Sequence, residues 1–241
     1  MELQNIKEWI FMIAIFISNI IQSLTGFAGV MLSIPPTILL YGPDTAKAVI
    51  NIVSWAVCII VAIMNRKYLK TKEVTKIVVF MLVGMYFGIQ MYTMVDANIL
   101  IPIYGAIIVL VALKNILFKP YKGKIPDYIA IPILIGAGVI HGMFVSGGSL
   151  LVIYLVSTFQ DKNEFRANVS AVWSILNIVL MYADIRKGLY TMDLAYLLIL
   201  SIIPIIIAMY IGNKIHKKIN QKTFNNLTYG LLLAAGTMII I

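Results

Sequence analysis

The chain is 241 residues long, 61% hydrophobic and only 12% charged, with a mean hydropathy of +0.95. A soluble domain is nearer half apolar and a quarter charged, so this balance excludes an ordinary soluble protein, and the lack of any polar low-complexity tract or glycine repeat excludes a disordered or fibrous one. The net charge of +9 does not point to nucleic acid, because the basic residues sit in short loops between apolar runs, where such residues fix membrane orientation.

A bilayer core takes about 20 helical residues to cross. Apolar runs fall at roughly 6–41, 44–64, 76–95, 99–118, 127–159, 163–183, 191–212 and 223–241. The expected fold is therefore an all-α integral membrane protein. The start, MELQNIKEW, lacks the basic opening and small-residue cleavage site of a signal peptide. The first run is thus expected to stay as a membrane segment. It is too long for one crossing and is broken by Gln22-Ser-Leu-Thr-Gly-Phe-Ala-Gly29, followed by Pro35-Pro36. Glycines in such a cluster favour an unwound stretch. The residue before a proline avoids the helical region, which extends the expected break toward Pro36. The next three runs read as single crossings. The fifth, 127–159, repeats the pattern of the first, with a break at His141-Gly-Met-Phe-Val-Ser-Gly-Gly-Ser149. The last three read as single crossings again.

The arms left after each break are short, about 16–18 Å as helix. Each long run therefore reads as a helical hairpin that returns to its own side. A single tilted, kinked helix is the bland alternative. With hairpins, fifteen of the nineteen Lys and Arg residues fall on the cytoplasmic side; with single crossings, only twelve do. The positive-inside rule selects the hairpins. It does not separate re-entrant hairpins from two short full crossings. The chain then divides into 1–118 and 127–241, each a hairpin plus three crossings within one membrane domain. Three crossings is odd, so the halves are expected to be inverted repeats. Trp55 and Trp173 lie in matching helices, and Asn51 and Ser54 echo Ser174 and Asn177.

Inverted repeats with broken helices place a transport site at the midplane. The second arm of each hairpin begins there, and a helix N-terminus offers unpaired amides and a positive dipole end to an anion. The candidate donors are Thr25, Gly26 and Gly29 at the first tip and Ser146, Gly147, Gly148 and Ser149 at the second. Polar residues at membrane depth usually face the bundle interior. This adds Gln22, Asn51, Ser54 and Asn177, with simple helix-to-helix hydrogen bonding as the alternative for each. His141 lies alone in an apolar run. Its imidazole is a candidate carrier of a coupling proton or a packing residue, while His216 reads as part of a basic loop. Arg166, about one turn into the sixth run, is expected to snorkel to the interface, to pair with Glu164 or Asp161, or to attract anions at the cytoplasmic mouth. Lys47 and Asp44 are the matching outer-mouth charges. An enzyme would need a nucleophile, a carboxylate pair or a metal cluster at membrane depth. The lone Cys58 and His141 do not assemble one, and one cysteine gives no disulfide framework. No metal is expected.

The stretch from Gln22, QSLTGFAGVMLSIPPTILLYGPDTAKAV, resembles the first-repeat motif of the TauE/SafE family of sulfite and sulfonate exporters. The stretch from Gly138, GVIHGMFVSGGSLLVIYLVSTFQDKNEFRANVSAVWSILN, resembles its second-repeat motif. Gly147, Gly148, Arg166 and Asn177 fall on motif positions. Ser149 stands where many relatives carry proline. The resemblance implies a multi-pass plasma-membrane permease for a small sulfur-containing or related carboxylate anion. It implies no cofactor beyond a coupling ion, H+ or Na+, and makes a homodimer plausible. A passive anion channel and a non-transporting membrane partner protein are the competing functions.

Overall fold

The computed structural model describes residues 2–94, 106, 109–110, 113, 125–145 and 147–240. The expected crossing at 99–118, the end of the first half at 118 and Ser146 lie outside the described residues. Among the described residues the fold is all helix: α1 (Glu2–Thr25), α2 (Gly29–Tyr41), α3 (Pro43–Met64), a 3-10 turn (Arg66–Tyr68), α4 (Thr71–Met94), α5 (Asp127–Phe144), α6 (Gly148–Thr158), α7 (Lys162–Arg186), α8 (Met192–Lys218) and α9 (Gln221–Ile240). Six of these, α1, α3, α4, α5, α7 and α8, contain stretches long and apolar enough to cross a membrane, and α2 and α6 are shorter apolar helices.

Both long runs break where glycine predicts. The first break is shorter than expected, because α2 starts at Gly29 and runs through Pro35 and Pro36 to Tyr41. Prolines are tolerated in membrane helices where Ser and Thr side chains satisfy nearby backbone groups. Here Ser33 Oγ donates to the carbonyls of Gly29 and Val30 at 3.0 and 3.2 Å, and Thr37 Oγ1 to that of Ser33 at 2.7 Å. The two arms of each broken run fold back on each other. The Phe11 ring near the middle of α1 meets the Tyr41 ring at the end of α2 at 5.5 Å. At the second run, Asp127 at the start of α5 pairs with Lys76 at 2.6 Å. Tyr154 on α6 donates to Glu73 at 2.7 Å. The outer ends of α5 and α6 thus gather on the first turns of α4.

Lipid offers helices little hydrophobic reason to associate, so small residues that let backbones approach carry the packing. Gly84 and Gly88 of α4 lie against the backbone of Ile135 and Val139 on α5. In return, Gly138 and Gly142 of α5 lie against that of Met81 and Met85 on α4. On α8, Gly212 lies against the Ile20 carbonyl of α1, and Ser23 Oγ of α1 donates to the Met209 carbonyl at 3.2 Å. Helix α3 packs on α7, and Val49, Ile50 and Val53 of the one and Val169, Val172 and Leu176 of the other are all buried. Asp161 caps α7 by accepting from the amides of Asn163 and Glu164 at 2.8 and 3.1 Å, a strongly preferred N-cap arrangement. The opposite face of α8 exposes Ile199, Ile203, Ile206 and Tyr210. A patch of this kind is a liability in water and an ordinary surface in lipid.

Candidate functional site

The two breaks have the same backbone geometry. Gly26 at the first and Val145 at the second are both left-handed, with φ of 89° and 56°. The Gly26 amide donates to the Gln22 carbonyl at 2.7 Å, and the Val145 amide to the His141 carbonyl at 2.8 Å. Glycine enters that region freely; a β-branched valine does so only under strain. One sequence offset carries Gln22 to His141, Gly26 to Val145, Gly29 to Gly148 and Cys58 to Asn177.

The side chains repeat the match. Gln22 Nε2 lies 3.0 Å from Cys58 Sγ, 3.4 Å from Ser54 Oγ and 3.3 Å from the Gly26 carbonyl. His141 Nε2 lies 3.1 Å from Asn177 Oδ1, and its ring stacks on Trp173 at 4.6 Å. With Oδ1 accepting, Nε2 carries the proton and Nδ1 keeps a bare lone pair, which is buried without a partner. Asn51 Nδ2 donates to the Asn177 carbonyl at 3.3 Å. Two polar clusters result, Gln22–Ser54–Cys58 and His141–Asn177–Asn51, each with members on α3.

Side chains fill the first tip. At the first, Gln22 Oε1 accepts from the Gly29 amide at 2.8 Å, and Thr25 Oγ1 accepts from the amides of Phe27 and Ala28 at 3.4 and 3.3 Å. The chain's own side chains thus occupy the donors of that tip. At the second, Ser149 Oγ is fully buried with no partner. The tips also touch. A Cβ placed on Gly148 would lie 3.1 Å from Phe27 Cδ2 and 3.6 Å from Trp173 Cζ2.

The match at residues 10–239 is to the family described as sulfite exporter TauE/SafE. The chain belongs to the TauE/SafE family. Comparison with curated proteins and with solved structures finds no match. Family membership over nearly the whole chain, with six span-length apolar helices, makes this a multi-pass membrane protein of a transporter family rather than an enzyme family.

Within this TauE/SafE chain, the residues expected from sequence divide among three places. Gln22, Thr25, Gly26, Gly29 and Ser54 gather at the first tip. Asn51, His141, Gly147, Gly148, Ser149 and Asn177 gather at the second. The Arg166 side chain joins neither polar cluster, although the residue's carbonyl lies against Gly26. It does not snorkel, and among the described residues it pairs with no acid: it is 1% exposed, and its Nη1 donates to Asn213 Oδ1 at 3.1 Å. Glu164 instead pairs with Lys70 at 3.0 Å, and Asp161 is the α7 cap. His216, expected in a loop, is buried in the last turn of α8. Its Nδ1 lies 2.9 Å from the Leu24 carbonyl and its Nε2 3.0 Å from Asn163 Oδ1. The apolar run stops at 212, but the helix continues to Lys218 and brings Asn213 and His216 inward. Asp184 was hidden by the same effect. It lies beyond the run that ends at 183, yet α7 continues to Arg186 and buries it facing Lys47 and Lys187. Among the described residues no group of three His, Cys, Asp or Glu side chains could hold a metal ion.

Proposed function

We propose that this chain is a secondary transporter of a small oxyanion, driven by an ion gradient and built from two inverted repeats at 1–118 and 127–241. The contact between the tips, with Phe27 over Gly148, carries this reading, because it brings the start of α6 and the end of the α1 break to one buried place. A helix N-terminus there favours an anion, and the buried, unpartnered Ser149 hydroxyl adds a donor. The description of the family as sulfite exporters makes sulfite, a sulfonate or a related carboxylate the natural cargo.

The packing supports the repeat reading. The offset that joins the tips also carries Ile20 to Val139 and Ser23 to Gly142, while a second offset carries Met85 to Met209 and Gly88 to Gly212. The α1–α8 contact therefore repeats the α4–α5 contact at two points, Gly212 on Ile20 matching Gly88 on Val139 and Ser23 on Met209 matching Gly142 on Met85. In such a protein one repeat moves against the other around the anion, so that the site opens first to one side and then to the other. His141, with its bare Nδ1, is the candidate for a coupling proton; a sodium ion is the alternative driver. The setting is the cell membrane, with a homodimer as the proposed assembly.

Purified protein in vesicles tests this reading. Sulfite, thiosulfate, sulfoacetate and acetate flux is measured with and without an imposed proton or sodium gradient. The expected result is gradient-dependent uptake of at least one of these anions, lost in Gly148→Val, whose side chain would collide with Phe27. Flux independent of any gradient means a channel. Undiminished flux in Gly148→Val removes the tips from the site.

A further inference from the structure

Arg166 has surroundings that the midplane site does not explain. Its side chain is buried, its Nη1 is taken by Asn213, and its Nε and Nη2 have no partner. Among the described residues no ion pair involves it. His216 and Lys162 beside it bring no negative charge: Lys162 Nζ donates to the carbonyls of His216 and Ile219. The nearest carboxylates in sequence are engaged elsewhere, since Asp161, which also acts on His216, caps α7 and Glu164 pairs with Lys70. A guanidinium stays charged, and burying a charge without a counter-charge is strongly unfavourable. Two donor atoms without a partner add to that cost.

The two idle atoms form one edge of the guanidinium fork. Their N–H bonds run side by side, the geometry that grips two oxygens of one anion. A halide offers a single point and matches this edge poorly. The neighbourhood gives the cation a purpose. The first tip rests on α7 here, since a Cβ on Gly26 would lie 3.1 Å from both the Arg166 carbonyl and Ser170 Oγ. Thr25 and Gln22 already occupy the amides of that tip, so any positive field for an anion beside it must come from elsewhere.

We propose that the Nε–Nη2 edge of Arg166 is a second anion site, beside the first tip and about 16 Å along α7 from Asn177, which binds oxyanions with two available oxygens in preference to halides. It rests on the transport reading for its place on an anion path. Asn213 holds the other edge of the fork and so orients the open one.

Equilibrium binding to the detergent-solubilised full chain tests it, with thermal stabilisation as the readout. Sulfite, methanesulfonate and acetate are titrated against chloride at matched ionic strength, in wild type, Arg166→Lys and Asn213→Asp. At least one oxyanion stabilises the wild type, and chloride does not. Arg166→Lys keeps the charge but loses the paired edge, and weakens oxyanion binding about tenfold or more. Asn213→Asp places a carboxylate against Nη1, weakens binding similarly and raises the melting temperature without ligand; it decides the matter if Arg166→Lys does not fold. No oxyanion binding in wild type, equal stabilisation by chloride, or unchanged oxyanion affinity in Asn213→Asp overturns the site. Vesicle flux separates this from the transport reading. Flux with unchanged binding in both variants removes only the Arg166 site, while variant-sensitive binding without flux of any anion in wild type removes only transport.

Discussion

Gln22 and His141 stand at matched points and hold their tips by different chemistry. Gln22 acts as a clamp, with its amide group joining the Gly29 amide, the Gly26 carbonyl and Cys58 across three segments. Gln22→Leu removes every one of these bonds and leaves buried polar groups unpaired, at about 1–3 kcal/mol for an orphaned group. The expected outcome is a clear fall in the thermal unfolding midpoint in detergent; an unchanged midpoint contradicts the clamp. His141 has one nitrogen engaged and one bare. If it carries the coupling proton, His141→Gln in vesicles abolishes proton-driven uptake but preserves anion exchange at equilibrium. Retained proton-driven uptake contradicts that role. His141 was conspicuous in the sequence as a lone imidazole in an apolar run. The Gln22–Cys58 contact was not, because nothing in their residue types marks them as the counterparts of His141 and Asn177. Only the common offset from the two left-handed residues reveals the match. Val145 was equally hidden, since a β-branched residue is among the last expected at positive φ.

At the scale of elements, the breaks were legible and the helix ends were not. Glycine clusters mark an unwound stretch through backbone freedom, a local property that sequence carries directly. Helix ends were read from hydropathy, which drops where polar residues begin even though the backbone continues. The last turns of α7 and α8 were lost in this way, and with them Asp184, Asn213 and His216. The Pro35-Pro36 pair misled in the opposite sense, because hydroxyl side chains inside α2 supply local bonds that a proline rule does not count. Close packing between elements gives a sharper test. Gly136 and Gly138 are two residues apart on α5. A Cβ on Gly136 would meet only Leu150 Cδ1 at 3.4 Å, whereas one on Gly138 would run into the Met81 carbonyl. Gly136→Ala is therefore expected to be neutral or to stabilise by up to about 1 kcal/mol. Gly138→Ala is expected to destabilise by about 1–3 kcal/mol through overpacking. Equal unfolding midpoints for the two variants would contradict the α4–α5 contact described here.

At the scale of the whole molecule, loop charge and the odd number of crossings pointed to an inverted pair of repeats. The matched tips and the matched α1–α8 and α4–α5 contacts support that plan with particular residues. In this arrangement the first hairpin enters from one side and the second from the other, and their tips meet inside. The most direct measurement is the sidedness of the two hairpin exits. Asp44 and Gln160 are both exposed just beyond their hairpins, and the native Cys58 is buried, so the unsubstituted chain serves as the labelling blank. Asp44→Cys and Gln160→Cys, each introduced singly, are labelled with a membrane-impermeant maleimide in intact cells and in inverted vesicles. The inverted-repeat account predicts labelling of position 44 in cells and of position 160 only in inverted vesicles; labelling of both from the same side would contradict it.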